Sequence, residues 1–349
     1  MKIHEKYILR CLELAKNGLG TTYPNPMVGS VVVYKNKIIG EDWHRKAGEP
    51  HAEVLAIASV KNPEHLQEST IYVSLEPCSH YGKTPPCSDL IIAKGIKKVV
   101  VGTVDPFAEV AGRGIKKLLE AGCEVIVGVL EEKCQQINKR FFTFHQKKRP
   151  YIILKWAQTL DGFIAPSAET RNSKEPVWIT NTYSKQLVHK WRAEEQAILI
   201  GTQTALADNP SLTTRDWDGP SPTRVVIDRT GKIPLDNNIF NKDSPTILIT
   251  ENTPNSPDFM VEKADFSKNL PHQVCDILFK HNLQSVIIEG GAKTLTSFIE
   301  AQLWDEARIF EGNVQFKKGI KAPEINGEIV EKIQIEKDTL KILRPFKAH

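Results

Sequence analysis

Apolar residues in the first 145 positions recur with two periods, one typical of amphipathic helices and the other of short buried strands. Apolar positions recur at helical spacing between Ile3 and Ala15, and Gly18 and Gly20 follow them as a helix end. Shorter apolar runs bounded by turn residues alternate with further helical patterns. We therefore predict a layered α/β domain. Its predicted strands are residues 28–34, 37–41, 71–75, 98–103 and 124–129, and its predicted helices are residues 3–15, 53–60, 88–94, 114–121 and 131–144.

The second half of the chain repeats the alternation of strands and helices. Thr180 and Asn181 form a helix cap, and the helix that they begin carries His189 and Arg192. Glycines follow two of the strands. The predicted strands are residues 151–156, 197–201, 224–228, 285–289 and 305–310, with a short helix at residues 202–207.

A chain of 349 residues predicts two or three domains. Residues 144–150 end in the basic run Lys147-Lys148-Arg149 followed by Pro150, which suits a linker as well as a cationic helix end. We place the boundary near Lys147, which gives domains of residues 1–146 and 147–349. A hydrophobic content of 40% and a charged content of 25% are those of a soluble globular protein.

Charge and cysteine content narrow the class of protein further. The net charge of +4 is spread along the chain, which argues against nucleic-acid binding and allows a substrate that carries phosphate. Six irregularly spaced cysteines indicate a reducing compartment instead of a disulfide framework. The first 18 residues are too charged for a secretory signal, and no apolar run of 18 residues occurs. We therefore expect a cytoplasmic protein with no membrane segment.

His51, Glu53, Cys78 and Cys87 form the pattern with the clearest chemistry. One imidazole and two thiolates are three ligands for a catalytic zinc ion, whose fourth position stays open to water. Taken alone, a histidine or a cysteine is more often structural. The His-x-Glu motif and the Pro-Cys motif together are the signature of zinc-dependent nucleobase deaminases. Eight residues separate the two cysteines here, where the common form has two.

The predicted elements place this pattern at two helix N-termini, where thiolate is favoured over thiol. Glu53 is the expected proton carrier for the zinc-activated water, so deamination needs no organic cofactor. Four loop residues could enter the same crevice or be ordinary turn and surface residues. They are Asn25, His44, His80 and Lys83.

The segment 76–87, which reads EPCSHYGKTPPC, resembles the RibD family of riboflavin biosynthesis, in which the longer insert between the cysteines is the rule. Residues 25–29, His44 with residues 48–53, and residues 110–114 also match. The resemblance implies a cytidine-deaminase-like, three-layer N-terminal domain. It also implies zinc held by His51, Cys78 and Cys87, with Glu53 as the catalytic residue.

The second half resembles the reductase domain that is fused to this deaminase, with a dihydrofolate-reductase-like fold. A strand runs into the turn Thr159-Leu160-Asp161-Gly162, and Gly290 and Gly291 follow a later strand. The resemblance implies that NADPH contacts Ala157, Trp178, Thr204, Asp208, Gly291, Ala292, Lys293, Thr294, Leu295, Thr296 and Ser297. It implies that the substrate contacts Arg192, Leu212, Arg215 and Glu289. The guanidinium groups of the two arginines suit a phosphate. Pro176 and Arg229 depart from the family pattern, and residues 253–265 and those after 312 are less recognisable.

The expected protein is therefore a bifunctional enzyme with Zn²⁺ and NADPH as cofactors. It deaminates a pyrimidine ribotide and then reduces the ribosyl group of the product to a ribityl chain. We expect small-molecule substrates, no nucleic-acid partner and an assembly of identical chains. Two alternatives stay open at this point. One is a zinc deaminase that acts on tRNA or another nucleotide, with a second domain that is not a reductase, and the other is a zinc-stabilised scaffold.

Overall fold

The computed structural model describes residues 2–81, 85–107, 111–167, 177–252 and 258–346. The chain divides into two compact units, one that ends at Lys148 and one that begins at Arg149. We had predicted a boundary near Lys147. Each unit has its own sheet and its own hydrophobic core.

The N-terminal unit is built on one five-stranded sheet with the order β2-β1-β3-β4-β5. β1 pairs antiparallel with β2 and β3, whereas β3, β4 and β5 are parallel. The carboxyl ends of the parallel strands therefore lie at one edge of the sheet, where α/β proteins place their ligands. The strands are β1 (Gly29–Tyr34), β2 (Lys37–Trp43), β3 (Thr70–Val73), β4 (Lys98–Val101) and β5 (Glu124–Val127).

Helices cover both faces of this sheet. Successive side chains of a strand point to opposite faces, so Ile71 and Val73 pack in one core with α2, α3 and α4 while Tyr72 packs in the other with α1 and α5. The three-layer prediction is confirmed. The helices are α1 (Lys2–Ala15), α2 (Ala52–Ala58), α3 (Cys87–Ala93), α4 (Arg113–Glu120), α5 (Glu131–Ile137) and α6 (Lys139–Lys147).

The single helix predicted for residues 131–144 is wrong. Asn138 leaves the helical conformation, with φ −98° and ψ 22°, and separates α5 from α6. Its buried side chain instead bonds both backbone groups of Met27: Asn138 Nδ2 donates to the carbonyl oxygen and Met27 N donates to Asn138 Oδ1, each at 2.8 Å. Hydrophobic periodicity does not report such a tertiary contact, and it therefore missed the break.

The C-terminal unit contains a nine-stranded sheet with the order β11-β10-β9-β8-β12-β6-β13-β16-β15. The seven strands from β11 to β13 in this order are parallel, and β16 and β15 continue the sheet antiparallel. A separate antiparallel pair consists of β7 (Phe163–Pro166) and β14 (Gly319–Lys321). The strands of the large sheet are β6 (Tyr151–Thr159), β8 (Ala197–Gly201), β9 (Thr223–Ile227), β10 (Thr246–Thr250), β11 (Met260–Lys263), β12 (Ser285–Ile288), β13 (Glu306–Gly312), β15 (Glu328–Ile335) and β16 (Asp338–Arg344).

Two cores lie on the two faces of this large sheet. Ile152 and Leu154 of β6 pack toward α9 (Leu270–Lys280) and α10 (Ala292–Glu300). Ile153, between them, packs on the other face with α7 (Thr182–Glu194) and α8 (Thr202–Asp208). The helix α9 and six strands of this unit were not predicted: β7, β10, β11, β14, β15 and β16. The carboxyl ends of the parallel strands again share one edge.

Candidate active sites

His51, Cys78 and Cys87 come together at the carboxyl edge of the N-terminal sheet. His51 precedes α2 as its N-cap, Cys78 lies in the loop that follows β3, and Cys87 is the first residue of α3. His51 Nδ1 lies 3.5 Å from Cys78 Sγ and 3.3 Å from Cys87 Sγ. All three donor atoms lie within 4.8 Å of one another.

These distances and donor types fit a tetrahedral zinc ion. Zn–N bonds of about 2.0 Å and Zn–S bonds of about 2.3 Å set at tetrahedral angles hold nitrogen and sulfur roughly 3.5 Å apart. The observed separations of 3.5 and 3.3 Å are close to that value. The described residues supply these three ligands and no fourth His, Cys, Asp or Glu donor in the group. Three protein ligands leave one coordination position for water or substrate, as in catalytic sites.

The electrostatics of the two thiols fit a metal ligand pair. A hydrogen bond from Cys87 lowers the pKa of the Cys78 thiol to about 4. The same bond, together with burial, raises the pKa of Cys87. The thiolate form is therefore favoured at Cys78, and metal binding must displace the proton of Cys87.

Glu53 lies within the first turn of α2 and is buried, with 3% of its surface exposed. Burial is the main reason that the pKa of its carboxyl is raised to about 7. A carboxyl with such a pKa exchanges protons readily near neutral pH, which is the property required of a general acid and base. The charge of Cys78 raises the pKa further. Glu53, the predicted proton carrier, is thus an ionisable group next to the metal ligands.

Glu76 holds the Cys78 loop in place, and the sequence analysis gave it no role. Its buried carboxylate accepts hydrogen bonds from the backbone amides of Gly112 and Gly114 at 2.9 Å, and from those of Ile115 and Asp105 at 3.3 Å. The amides of Gly112, Gly114 and Ile115 lie at or beside the N-terminus of α4, where a carboxylate is favoured, and that of Asp105 lies in the loop after β4. A Cβ atom on Gly114 would overlap the carbonyl oxygen of Pro77. The glycine therefore allows the helix to approach the loop.

We expect Glu76→Gln to loosen this anchor, because an amide replaces one acceptor oxygen with a donor that faces backbone N–H groups. Exchange of the α4 N-terminal amides with deuterium should become faster, on the order of tenfold or more. Peptide-resolved hydrogen exchange measures this. Glu120→Gln, at the exposed end of α4, is the matched control and should leave the exchange unchanged. Equal exchange in both variants would show that Glu76 does not anchor the loop.

Two of the four loop candidates lie beside the metal ligands. His44 is buried, its ring stands edge-on to His51 with centroids 5.4 Å apart, and its Nε2 lies 3.0 Å from Asn25 Nδ2. Burial lowers the pKa of His44, and its Nδ1 lies 3.2 Å from the carbonyl oxygen of Pro50, so both ring nitrogens have partners. His80 is exposed. Lys83 lies outside the described residues, as does Val110 of the matching segment 110–114.

In the C-terminal unit a cavity of about 710 Å³ lies at the carboxyl ends of β8, β9, β10 and β12. Five of the predicted NADPH contacts line it: Thr204, Gly291, Lys293, Thr294 and Ser297. Thr204 Oγ1 accepts a hydrogen bond from Gly291 N at 3.0 Å, which joins the start of α8 to the start of α10. The remaining wall comes from the end of β8, the loops after β9 and β10, and Phe266 and Leu270.

The geometry around the glycines suits a phosphate group. A Cβ atom at Gly201 or Gly290 would lie 2.7 or 2.8 Å from Thr294. Only glycine fits there without a shift. The first amides of α10 have no partner within the helix, and such groups bind phosphate oxygens. The residues present therefore fit a dinucleotide whose phosphates approach the start of α10.

Lys155, Arg192 and Glu289 form a partly exposed charged cluster near this edge, with side chains 11–15% exposed. Arg192 Nη2 donates to Glu289 Oε2 at 2.8 Å, and Lys155 Nζ lies 3.6 Å from Glu289 Oε1. Burial opposes ionisation of Glu289, but the charges of Arg192 and Lys155 outweigh it and lower its pKa to about 2. Among the described residues, Arg192 Nε and Glu289 Oε1 have no hydrogen-bond partner. Buried polar atoms without a partner are expected where a ligand binds.

Lys155 was missed by the sequence analysis. Burial lowers its pKa, and it lies two residues before Ala157 on β6. The signal was present as the one charged residue inside the apolar run 151–156. We had interpreted that run only as a buried strand.

The other predicted substrate contacts lie beside Arg192. Arg192 Nη1 donates to the carbonyl oxygen of Thr213, which follows Leu212, at 3.3 Å. Leu212 is buried and has a positive φ of 54°, which turns the chain at this point. The backbone amide of Arg215 donates to His189 Nδ1 at 3.1 Å, and its side chain is exposed. α7 therefore organises the loop that carries these residues.

Several predicted NADPH contacts do not line the cavity. The exposed ring of Trp178 has Lys185 Nζ 3.6 Å above its centroid. Leu295 is fully buried in the core with Phe298, so its side chain faces away from the cavity. Pro176 lies outside the described residues. The other predicted NADPH contacts that do not line the cavity are Ala157, Asp208, Ala292 and Thr296.

Comparisons with known proteins match both units. Residues 1–103 match the model of the cytidine and deoxycytidylate deaminase zinc-binding region, and residues 150–313 match that of the RibD C-terminal domain. Among the described residues, no helix is both long enough and apolar enough to cross a bilayer.

Curated relatives and solved structures cover most of the chain. The riboflavin biosynthesis protein RibD of Aquifex aeolicus is 41% identical over 88% of this chain and 86% of its own. That of Escherichia coli is 35% identical over 88% and 86%. The crystal structure of a diaminohydroxyphosphoribosylaminopyrimidine deaminase/5-amino-6-(5-phosphoribosylamino)uracil reductase from Thermotoga maritima is similar with a TM-score of 0.89, 36% identity and 99% of both chains covered. The predicted pair of folds, cytidine-deaminase-like and dihydrofolate-reductase-like, is confirmed.

Proposed function

The chain belongs to the RibD family of riboflavin biosynthesis proteins, and from this premise we propose how its residues perform two successive reactions. It is a zinc-dependent deaminase and an NADPH-dependent reductase. The first reaction deaminates 2,5-diamino-6-ribosylamino-4(3H)-pyrimidinone 5′-phosphate. The second reduces 5-amino-6-(5-phosphoribosylamino)uracil to the ribitylamino form.

We assign the deaminase to residues 1–146 and the reductase to residues 147–349. The separate cores of the two units support this division. So do the matches at residues 1–103 and 150–313. Each reaction then has its own site at the carboxyl edge of its own sheet.

For the first reaction, His51, Cys78 and Cys87 would hold zinc. When bound, zinc activates a water molecule for attack on the amine-bearing ring carbon. Glu53 takes a proton from that water and passes protons to the ring nitrogen and to the departing amine, which leaves as ammonia. Burial raises the pKa of the Glu53 carboxyl to about 7, so it can both take up and release a proton near neutral pH. Burial also excludes bulk water from the proton transfer. Asn25, whose amide nitrogen lies 3.0 Å from His44 Nε2, is placed beside the metal ligands for hydrogen bonds to the substrate.

For the second reaction, NADPH would supply a hydride to C1 of the opened ribosyl group. Lys155 gives a proton to the ribose ring oxygen as the ring opens, and the amine nitrogen carries the resulting double bond to C1. Glu289 holds the Lys155 ammonium and the Arg192 guanidinium at 3.6 and 2.8 Å. Arg192 on α7, with Arg215 on the adjacent loop, is placed to pair with the substrate phosphate.

The single observation that carries the deaminase is the trio of metal ligands with a buried carboxylate beside it. A structural zinc is closed by four protein ligands, and the described residues provide three in this group. This favours catalysis over a scaffold role. The reductase family match over residues 150–313 disfavours the alternative of a tRNA deaminase with an unrelated second domain.

We expect the zinc-loaded protein to release ammonia from the diaminopyrimidine ribotide without NADPH, and to oxidise NADPH only after deamination. The order follows because the second substrate is the product of the first site. Ammonia and NADPH absorbance are followed in parallel, with and without the cofactor. NADPH oxidation without prior ammonia release would contradict the order, and ammonia release from tRNA but not from the ribotide would favour the alternative.

We further propose that the protein works in the cytoplasm as an assembly of identical chains and has no nucleic-acid partner. The thiolate ligands require a reducing compartment. The net charge of +4 is small for a nucleic-acid binder. Light scattering tests the assembly of identical chains, and binding assays with tRNA test the absence of a nucleic-acid partner.

A further inference from the structure

The cavity of the C-terminal unit extends well beyond the predicted cofactor contacts. Its wall on the β9 and β10 side contains Arg229, Lys232 and Glu251. The family resemblance assigns none of these three residues a role, and Arg229 is a departure from its pattern. Two cations on this wall of a cavity that fits a dinucleotide require an explanation.

The strand order fixes which end of a dinucleotide this wall would meet. The charged cluster at Lys155 and Glu289 lies on β6 and at the end of β12, so the reacting nicotinamide must lie there, next to the substrate. The phosphates approach the start of α10, which follows β12. β9 lies three positions from β6 in the sheet, or roughly 14 Å at the usual strand spacing. The adenosine end therefore reaches the loops after β9 and β10.

The acidic groups at this wall are already engaged. Asp228 is buried, and its two oxygens accept hydrogen bonds from Thr202 Oγ1 at 3.2 Å and Ile233 N at 2.8 Å. Glu251 Oε2 accepts from Arg229 Nε at 2.9 Å. A free carboxylate at such a place would hydrogen bond the ribose 2′-hydroxyl of NADH, whereas an arginine accommodates a 2′-phosphate. Here the carboxylates bond within the protein.

Arg229 is held by one nitrogen of its guanidinium group, which leaves the other two available for a ligand. Glu251 binds Nε, and among the described residues Nη1 and Nη2 have no hydrogen-bond partner. The side chain is 59% exposed, so a phosphate can reach it. The planar guanidinium can form two parallel hydrogen bonds to a phosphate, and Lys232 adds a second positive charge.

We propose that Arg229 and Lys232 bind the 2′-phosphate of NADPH and thereby select NADPH over NADH, with Glu251 positioning the Arg229 guanidinium. The inference rests on the proposed reductase function, because it needs a nicotinamide cofactor in this cavity. It goes beyond that function by naming the residues that discriminate between the two cofactors.

The test is equilibrium binding without turnover. NADPH and NADH are titrated into wild-type protein and followed by nicotinamide fluorescence. Adenosine 2′,5′-bisphosphate and 5′-AMP serve as competitors, since they differ only in the 2′-phosphate. We expect Arg229→Gln to raise the Kd for NADPH and the bisphosphate about tenfold, and Lys232→Gln about threefold. Binding of NADH and 5′-AMP should stay within about twofold, since neither carries the 2′-phosphate.

Two further variants make the result specific. Arg229→Lys keeps the charge and should retain part of the preference for NADPH, because a point charge still attracts phosphate. Lys242→Gln removes an equally positive charge from a side chain that is 87% exposed and outside the cavity lining. It should change neither Kd.

The outcomes separate the inference from the proposed function. Wild-type protein that binds neither cofactor overturns both. Wild-type protein that prefers NADPH while Arg229→Gln and Lys232→Gln bind it equally well overturns the inference alone. A parallel loss of NADPH and NADH affinity also overturns it, because it would mean that Arg229 contacts the adenine or the shared phosphates.

Discussion

Glu53→Gln is expected to lower the rate of ammonia release by about 10³- to 10⁴-fold, close to complete loss in a standard assay. Glutamine has the size of glutamate but cannot take up the proton of the activated water. Zinc content should stay at one ion per chain, because Glu53 is not a ligand.

The second activity of the same chain provides an internal control. When 5-amino-6-(5-phosphoribosylamino)uracil is supplied directly, Glu53→Gln should oxidise NADPH at the wild-type rate, which shows that the protein is folded. Glu64→Gln makes the same chemical change at an exposed position and should leave ammonia release intact. Retained deamination in Glu53→Gln would remove Glu53 from its assigned role.

The metal group could be predicted from sequence because its chemistry restricts the residue types. Few side chains ligate zinc, and His51, Cys78 and Cys87 match the RibD family pattern, including its longer insert between the cysteines. The structure adds the distances from His51 Nδ1 to the two sulfur atoms, 3.5 and 3.3 Å, which fit a zinc ion. The role of Glu76 was not visible, because its four amide partners come from residues 29 to 39 positions away.

Hydrophobic periodicity predicted the strands and helices where burial on one face sets the pattern. It failed at Asn138, where a side chain bonds the backbone of Met27, 111 residues away. It also gave no prediction for β15, whose residues are mostly exposed at the edge of the sheet. An exposed edge strand has no apolar face to report, so its pattern resembles that of a loop.

The reductase site was predicted less completely than the metal group. Dinucleotide cavities are lined largely by backbone and small side chains, and Gly291 and Thr294 carry a weak signal by themselves. Arg192 and Glu289 were predicted from the resemblance, and the structure brings them within 2.8 Å. Lys155 was overlooked because a single charge in an apolar strand is hidden by its neighbours.

Lys155→Met is expected to lower the rate of NADPH oxidation by about 10²- to 10⁴-fold, the usual contribution of a positioned proton donor. Methionine keeps most of the side-chain length and burial but removes the ammonium. The Kd of NADPH should remain within about twofold, since Lys155 does not line the cofactor cavity. Single-turnover NADPH oxidation and fluorescence titration measure the two quantities separately.

Loss of the Lys155 ammonium also changes the charge balance of the cluster, and this distinguishes a proton donor from a merely structural lysine. Arg192 still pairs with Glu289 at 2.8 Å, so the cluster keeps one ion pair and the unit should stay folded. Ammonia release from the same preparation, and NADPH oxidation by Lys242→Met at an exposed site, should both match the wild type. If Lys155→Met weakens NADPH binding but leaves the single-turnover rate unchanged at saturation, the lysine positions the cofactor and the proton must come from another group. A rate loss with unchanged cofactor affinity assigns the proton to Lys155, because only the chemical step would then depend on the ammonium.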